Sequence, residues 1–187
     1  MAAWVSNNPN GIRQTLYTPD MAVNDYKYMV GAYSSLTFPH GIGFFFCSCL
    51  WDMYWAIIWY EEHNNRLGFN PNKYQDSVGG SNKAFQIVVE GLKFQGCSPN
   101  FVHSRDGILA AGMHLYNDST MNCVIWQVFA RRGLGDGAVS QSVSSFSIPD
   151  SCTGGLSLPA RFWPHSAPAS TASPSANPSN RRSAAPT

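Results

Sequence analysis

The sequence predicts a mainly α-helical fold of about four main helices, followed by a disordered tail. Three observations point there. One long apolar stretch, FPHGIGFFFCSCLWDMYWAIIWY, runs from Phe38 to Tyr60. Three shorter segments between Gly79 and Gly133 space their apolar residues as helices do and carry turn formers at their borders. Beyond Gly133 the chain turns Gly/Ser-rich, and from about Ala167 it is a mixture of Pro, Ala, Ser, Thr and Asn with nothing to build a core. The expected organisation is therefore one helical unit over residues 1–150 and a low-complexity tail over 151–187.

Composition narrows the class. A chain of 187 residues suits one domain, and a hydrophobic content of 44% is enough for a core. Charged residues make up only 12%, about half of the usual share. The net charge is +1 and no basic stripe exists, which speaks against nucleic acid as a partner. Low charge with many Asn, Ser, Gly and aromatic residues is common among secreted proteins, and five cysteines agree with that class. The odd number leaves at least one thiol without a partner in the chain. The first residues, MAAWVSNNPNGIRQ, show neither the charged nor the apolar region of a secretory signal. Asn117-Asp118-Ser119 is a glycosylation sequon, a triplet that chance also produces.

Residues 1–37 are rich in turns. Asn7-Asn8-Pro9-Asn10-Gly11 and Thr18-Pro19-Asp20 are clusters of turn formers with an extended Ile12–Tyr17 between them. Trp4, Tyr17, Tyr26, Tyr28 and Tyr33 are aromatic pins for this long loop. Pro39 suits the first turn of a helix from about Gly41 to Glu62. Trp51, Trp55 and Trp59 share one face of it, and apolar residues surround its circumference, which predicts burial on most sides. Ile42–Tyr60 is also long enough to span a bilayer. A central Asp52 would cost roughly 2.5–3.5 kcal/mol there, and acidic rather than basic residues follow, so a buried helix of a fold without a membrane is expected. Asp52 then needs a partner, with Arg105 or Arg131 in a structural salt bridge as the candidates.

After Gly79-Gly80, Ser81 is the expected cap of a second helix, about 82–94, with Phe85, Val88, Val89 and Leu92 on its inner face. Ser98-Pro99 opens a third, about 99–116, carrying Phe101, Ile108, Leu109, Gly112 and Leu115. A fourth, about 122–132, ends with Arg131-Arg132 in its last turn and Gly133 after it. Cys47 and Cys49, two apart on a helix, point in different directions and do not pair with each other. A metal site made of these two and His40 lacks a fourth ligand.

The blocks WVSNNPNGIRQTLYTPDM, PHGIG, LWDMYWAII, GGSNKAFQIVVEGLKFQGCSPNFVHSRDGILAA and CVIWQVFARRGLG follow one another across about residues 4–140. In these blocks the sequence resembles the fungalysin family of secreted zinc metallopeptidases. The resemblance implies the helical C-terminal subdomain of a thermolysin-like catalytic domain, an extracellular location, and protein or peptide substrates hydrolysed by a zinc-activated water. Members bind zinc through His-Glu-x-x-His on a helix, where two His four apart face one metal and the Glu activates the water. The five histidines of this sequence, at 40, 63, 103, 114 and 165, include no such pair. The expectation is thus a fragment whose zinc ligands lie outside the chain, on a missing N-terminal catalytic segment, and which is inactive alone. The alternative is a truncated, non-catalytic homologue that binds peptides or proteins.

The resemblance also assigns roles. His40, in Pro-His-Gly-Ile-Gly, matches the family's His-x-x-Gly at the start of the long helix and becomes the oxyanion stabiliser. Arg13, in Gly-Ile-Arg, becomes the substrate-binding clamp on a peptide carbonyl. On the residues alone, a His before a buried helix is more often a cap or a packed side chain, and Arg13 more often pins a loop. Cys97 and Cys123 match paired positions of the family, which implies a disulfide between them. Gly43-Phe44-Phe45-Phe46 departs from the family pattern, and its rings are expected to obstruct the cleft next to His40.

Overall fold

The long apolar stretch forms a single helix, because its side chains offer no hydrophilic face at which to break and Pro39 marks its start. In the computed structural model, which describes residues 5–8, 11–13, 15–28, 39–140 and 143–159, this helix, α1, spans His40–His63. Its end lies where Glu61–Asn65 predicts it: Asn64 and Arg66 turn their N–H groups back onto the carbonyls of Tyr60 and Glu61, and Asn65 takes a left-handed conformation. Three further helices follow, α2 (Gly80–Gly91), α3 (Phe101–Tyr116) and α4 (Ser119–Arg131), with a 3-10 turn Leu92–Phe94 continuing α2. The molecule is mainly helical, as expected, with only isolated β-bridges among the described residues. Trp4, Tyr33 and the tail from Ala160 onward lie outside them.

The helix starts differ from the sequence reading by two or three residues. Asn100 caps α3, which starts two residues after the expected Pro99, its Oδ1 accepting from the His103 N–H at 2.9 Å. Asp118 caps α4 by accepting from the Met121 N–H at 3.0 Å, so α4 starts three residues before Asn122. Ser81 does not cap α2. It is buried within the helix, and its Oγ accepts from the Asn70 N–H at 2.9 Å, fastening the preceding loop.

The helices form a four-cornered bundle in which α1 packs against α2 and α4, and α3 closes the side opposite α1. The core gathers Phe45, Cys49, Met53, Ala56 and Ile57 of α1 with Ala84, Ile87, Ile108, Met121, Ile125, Val128 and Phe129. One expectation fails here. Phe85, Val89 and Leu92 are exposed, and α2 buries Gly80, Ala84, Ile87 and Gly91 instead. The reason is close approach. A Cβ on Gly80 would stand 2.7 Å from the Ile57 carbonyl oxygen, and one on Gly91 would stand 3.2 Å from Ile108 Cα. Small residues bring the backbones together, and dispersion attraction along the whole length of the helix outweighs burial of a few larger side chains on the other face. Gly80→Ala is therefore expected to lower stability by about 1–3 kcal/mol in urea unfolding. At Gly43 no described atom would stand within 4 Å of an added Cβ, so Gly43→Ala should leave stability unchanged or raise it by about 0.5–1 kcal/mol.

α1 is likewise less covered than expected. It is long and apolar enough to cross a membrane, and half of that window is buried inside the fold. Trp51 and Trp55 remain partly exposed and, with Tyr54, pack on one another along an apolar groove shared with Phe69, Phe85 and Val88.

Beyond α4, Gly133 takes φ +86°, as a helix-terminating glycine does. The chain folds back on itself through bridges Leu134–Ser145, Asp136–Ser147 and Val139–Val143. The packed body continues past residue 150. Leu158 is buried, and Gln127 clamps this segment by donating to the Leu156 carbonyl at 2.6 Å and accepting from the Leu158 N–H at 2.9 Å. The disulfide belongs here too, which corrects the expected Cys97–Cys123 pairing: Cys123 is bonded to Cys152, and Cys97 is an exposed free thiol. Cys123 lies in the second turn of α4, where its Cα stands 5.3 Å from that of Cys152, within the roughly 7 Å that a bridge spans, whereas Cys97 precedes α3. Cys47 and Cys49 are both free, one exposed and one buried. Burial pushes the Cys49 thiol far above its ordinary range.

Candidate functional site

His40 is the first residue of α1 and is exposed. Among the described residues no side chain caps this helix end, and its first turn holds no acid. The Gly43 N–H closes the first turn onto the Pro39 carbonyl at 3.1 Å. The N–H groups of His40, Gly41 and Ile42 have no intrahelical acceptor, by the geometry of any helix start. The imidazole therefore stands at the positive end of a 24-residue helix.

One turn further on, Phe44 receives the rings of Tyr17 at 4.7 Å and Tyr26 at 5.0 Å. Phe45 packs on Tyr28 and Phe101, and Phe46 stacks on Phe101 at 5.3 Å with an interplanar angle of 7°. These rings pack inward. Phe44 and Phe45 are buried, and the three rings tie the start of α1 to the N-terminal loop and to α3. Arg13 is half-buried on that loop. Its guanidinium and the Cys47 thiol lie beside the Tyr17 hydroxyl, which burial and Cys47 push up and Arg13 pulls back. The loop carrying Arg13 and the first turns of α1 carrying His40 accordingly meet at one end of the bundle.

The loop is held there by a buried ionic cluster. Asp52, fully buried in the middle of α1, accepts from Arg132 Nε at 2.6 Å, from Arg132 Nη2 at 3.1 Å and from Arg131 Nη1 at 3.2 Å. Burial raises the Asp52 carboxyl, and both arginines oppose that shift. Burial also lowers Arg131, to about 10. The same guanidinium groups reach the loop backbone. Arg132 donates to the Tyr26 carbonyl at 2.7 Å and to the Asn24 carbonyl at 3.3 Å, and Arg131 donates to the Pro19 carbonyl at 2.7 Å. Asn24 extends the network to Ser48 Oγ at 3.0 Å and to the Leu16 carbonyl at 3.0 Å.

Of the two partners expected for Asp52, Arg131 is one and Arg105 is not. Arg105 pairs with the adjacent Asp106, donates to the carbonyls of Leu134 and Gly135 at 3.0 and 2.6 Å, and lies over the Trp126 ring. The principal partner, Arg132, escapes sequence reasoning. Its signal lies in the Arg-Arg-Gly ending of α4, since an arginine just past a helix end is aimed by the turn rather than by the helix face. A second cluster closes the other end of α1. Buried Glu61 takes Arg66 in a two-pronged contact at 2.8 and 2.9 Å and Lys83 at 2.8 Å, while Tyr60 Oη donates to Asp118 at 2.8 Å. Among the described residues, no three His, Cys, Asp or Glu side chains come together in a group able to hold a metal ion.

The chain is similar in sequence to known proteins. Residues 1–138 match the family described as Fungalysin metallopeptidase (M36). Among similar proteins are the extracellular metalloproteinase 3 of Arthroderma gypseum, 40% identical over 157 residues, and that of Trichophyton rubrum, 39% identical over 157 residues. Each of these matches covers 81% of this chain and 24% of the relative. The extracellular metalloproteinase 3 of Trichophyton soudanense is 41% identical over 140 residues, covering 74% of this chain and 34% of its own length. The chain spans about a quarter to a third of the relatives it matches. On a match that runs from the N-terminal loop through all four helices, the chain belongs to the fungalysin metallopeptidase family.

Proposed function

We propose that the chain forms one wall of the substrate cleft of a secreted zinc endopeptidase that hydrolyses peptide bonds in proteins. The family implies a metal cofactor and protein or peptide substrates, and the relatives are named extracellular. The described residues do not fit the metal's site, so its ligands are assigned outside these residues and no step is routed through it here. What this chain supplies is substrate handling. His40 donates a hydrogen bond to the oxygen that gains negative charge when the scissile carbonyl becomes tetrahedral. Arg13 holds a neighbouring peptide carbonyl with its fixed fork of donors.

One observation carries this reading: His40 is exposed at the uncapped start of α1, and the Arg13 loop is fastened beside the next turns of the same helix. A donor at the positive end of a helix suits a developing oxyanion, because the backbone dipoles add to its field without reorganising. The Asp52 cluster keeps both elements in register and takes no part in the chemistry.

The test uses an active enzyme that contains this chain together with its metal-binding segment. His40→Ala should lower kcat by about 10²–10³ while leaving metal content unchanged. Near-normal turnover would reject the oxyanion role. The second reading, a non-catalytic peptide-binding homologue, draws on the lack of a His-Glu-x-x-His motif in these 187 residues. It requires saturable peptide binding without cleavage, and hydrolysis by a metal-loaded protein bearing this chain would sink it.

A further inference from the structure

We propose that Asn117 is an N-glycosylation site and that the sugar is carried at the end of the bundle remote from His40. The inference rests on the extracellular reading. Asn117-Asp118-Ser119 is the one Asn-x-Ser/Thr triplet of the sequence that proline does not bar; Asn177-Pro178-Ser179 is excluded by its central residue. A triplet alone says little, and the structure adds three facts. Asn117 is the C-cap of α3, exposed, with φ 46° and ψ 37°, a left-handed conformation that Asn tolerates better than most residues. Its backbone N–H is used, donating to the Met113 carbonyl at 2.9 Å, but its side-chain amide has no hydrogen-bond partner among the described residues. Ser119 is exposed with its hydroxyl equally unengaged among them, while the middle residue, Asp118, carries the structural duties by capping α4 and accepting from Tyr60. The two side chains that glycosylation requires are therefore free of other work, on a turn between two helices.

Position decides whether a glycan is compatible with a working cleft. Asp118 touches Tyr60, and Tyr60 stands twenty residues along α1 from His40. At 1.5 Å per residue that is about 30 Å. A glycan on Asn117 projects from the far end of the bundle and leaves the proposed substrate side open. In the transfer, Asn117 Nδ2 forms a bond to the anomeric carbon of the first sugar of a lipid-pyrophosphate-linked oligosaccharide. The glycosyl–phosphate bond breaks, the lipid pyrophosphate departs, and the amide loses one proton.

The experiment expresses the whole chain behind a cleavable secretion leader in a eukaryotic host and recovers it from medium and cells. Mass spectrometry before and after peptide-N-glycosidase treatment in oxygen-18 water should show a glycan, and conversion of Asn117 to Asp carrying one labelled oxygen. Ser119→Ala should abolish the modification, and Ser119→Thr should keep it. Ser119→Ala is preferred to a change at Asn117 because it leaves the left-handed position untouched. Protein with its leader removed but Asn117 unmodified would overturn the proposal and leave the extracellular reading standing. Retention of the glycan in Ser119→Ala would overturn it as well. Absence of the natural product from its host's culture medium would count against the extracellular reading and, with it, against the proposal that rests on it.

Discussion

Asp52→Ala is expected to lower the free energy of unfolding by about 3–5 kcal/mol, a large share of the roughly 5–15 kcal/mol that holds a domain together. The reason is not the value of the salt bridge, since burying an ion pair gains little over apolar packing. It lies in what the substitution leaves behind. Arg131 and Arg132 have fully buried side chains, and without Asp52 two guanidinium groups would remain in the interior without the carboxylate they share. Either the charges stay uncompensated or the helix end opens to let water in. The second course would free residues 16–28, because the same guanidinium groups hold the carbonyls of Pro19, Asn24 and Tyr26. The urea midpoint should therefore fall together with a gain in proteolytic cleavage within that loop. Asp52→Asn keeps the shape and one acceptor and should fall between wild type and Asp52→Ala. For contrast, Lys93→Ala removes an ion pair whose Lys93 side chain is 68% exposed and should change stability by less than about 0.5 kcal/mol. A small effect at Asp52 would mean that the arginines find other partners.

The second large effect is expected at the disulfide. Cys123 and Cys152 are 29 residues apart, and closing a loop of that length is worth about 3.5 kcal/mol of unfolded-chain entropy. Cys152→Ser should remove an amount of that order, and reduction of the wild-type protein should do the same. It should also loosen Leu156 and Leu158, which the bridge and Gln127 together hold against α4. Cys97→Ser should change stability by no more than about 0.5 kcal/mol. The pair of variants separates the two pairings: a large loss at Cys97 would restore the bridge expected from the family.

Much of the helical plan was legible. Pro39, the Glu61–Asn65 polar stop, Gly79-Gly80 and the Arg-Arg-Gly ending are local signals, and local signals set where helices begin and end. For the proposed site the sequence offered two separate residues. His40 at a helix start and Arg13 on a loop could be named, but nothing local said that the loop is fastened beside that helix. Fastening depends on Arg132 reaching Asp52 across 80 positions of sequence, and a contact so distant leaves no periodic trace.

The sequence by itself determined that this protein is mainly helical, that its longest helix carries a charge needing a partner, and that its residues follow the fungalysin pattern. Each is a property of composition, spacing or ordered motifs along the chain. The tertiary structure alone decided which face of α2 is buried, which cysteine Cys123 bonds, and which arginine neutralises Asp52. For α2 the outcome turned on how closely two backbones approach, and for the other two on which distant segment the fold brings alongside. Glycines at 80 and 91 admit neighbours that Phe85 and Val89 would hold off, and the segment after α4 returns to bring Cys152 Cα within 5.3 Å of Cys123 Cα. Distance through space is set by the packing of all four helices together, and no segment of the chain carries it alone.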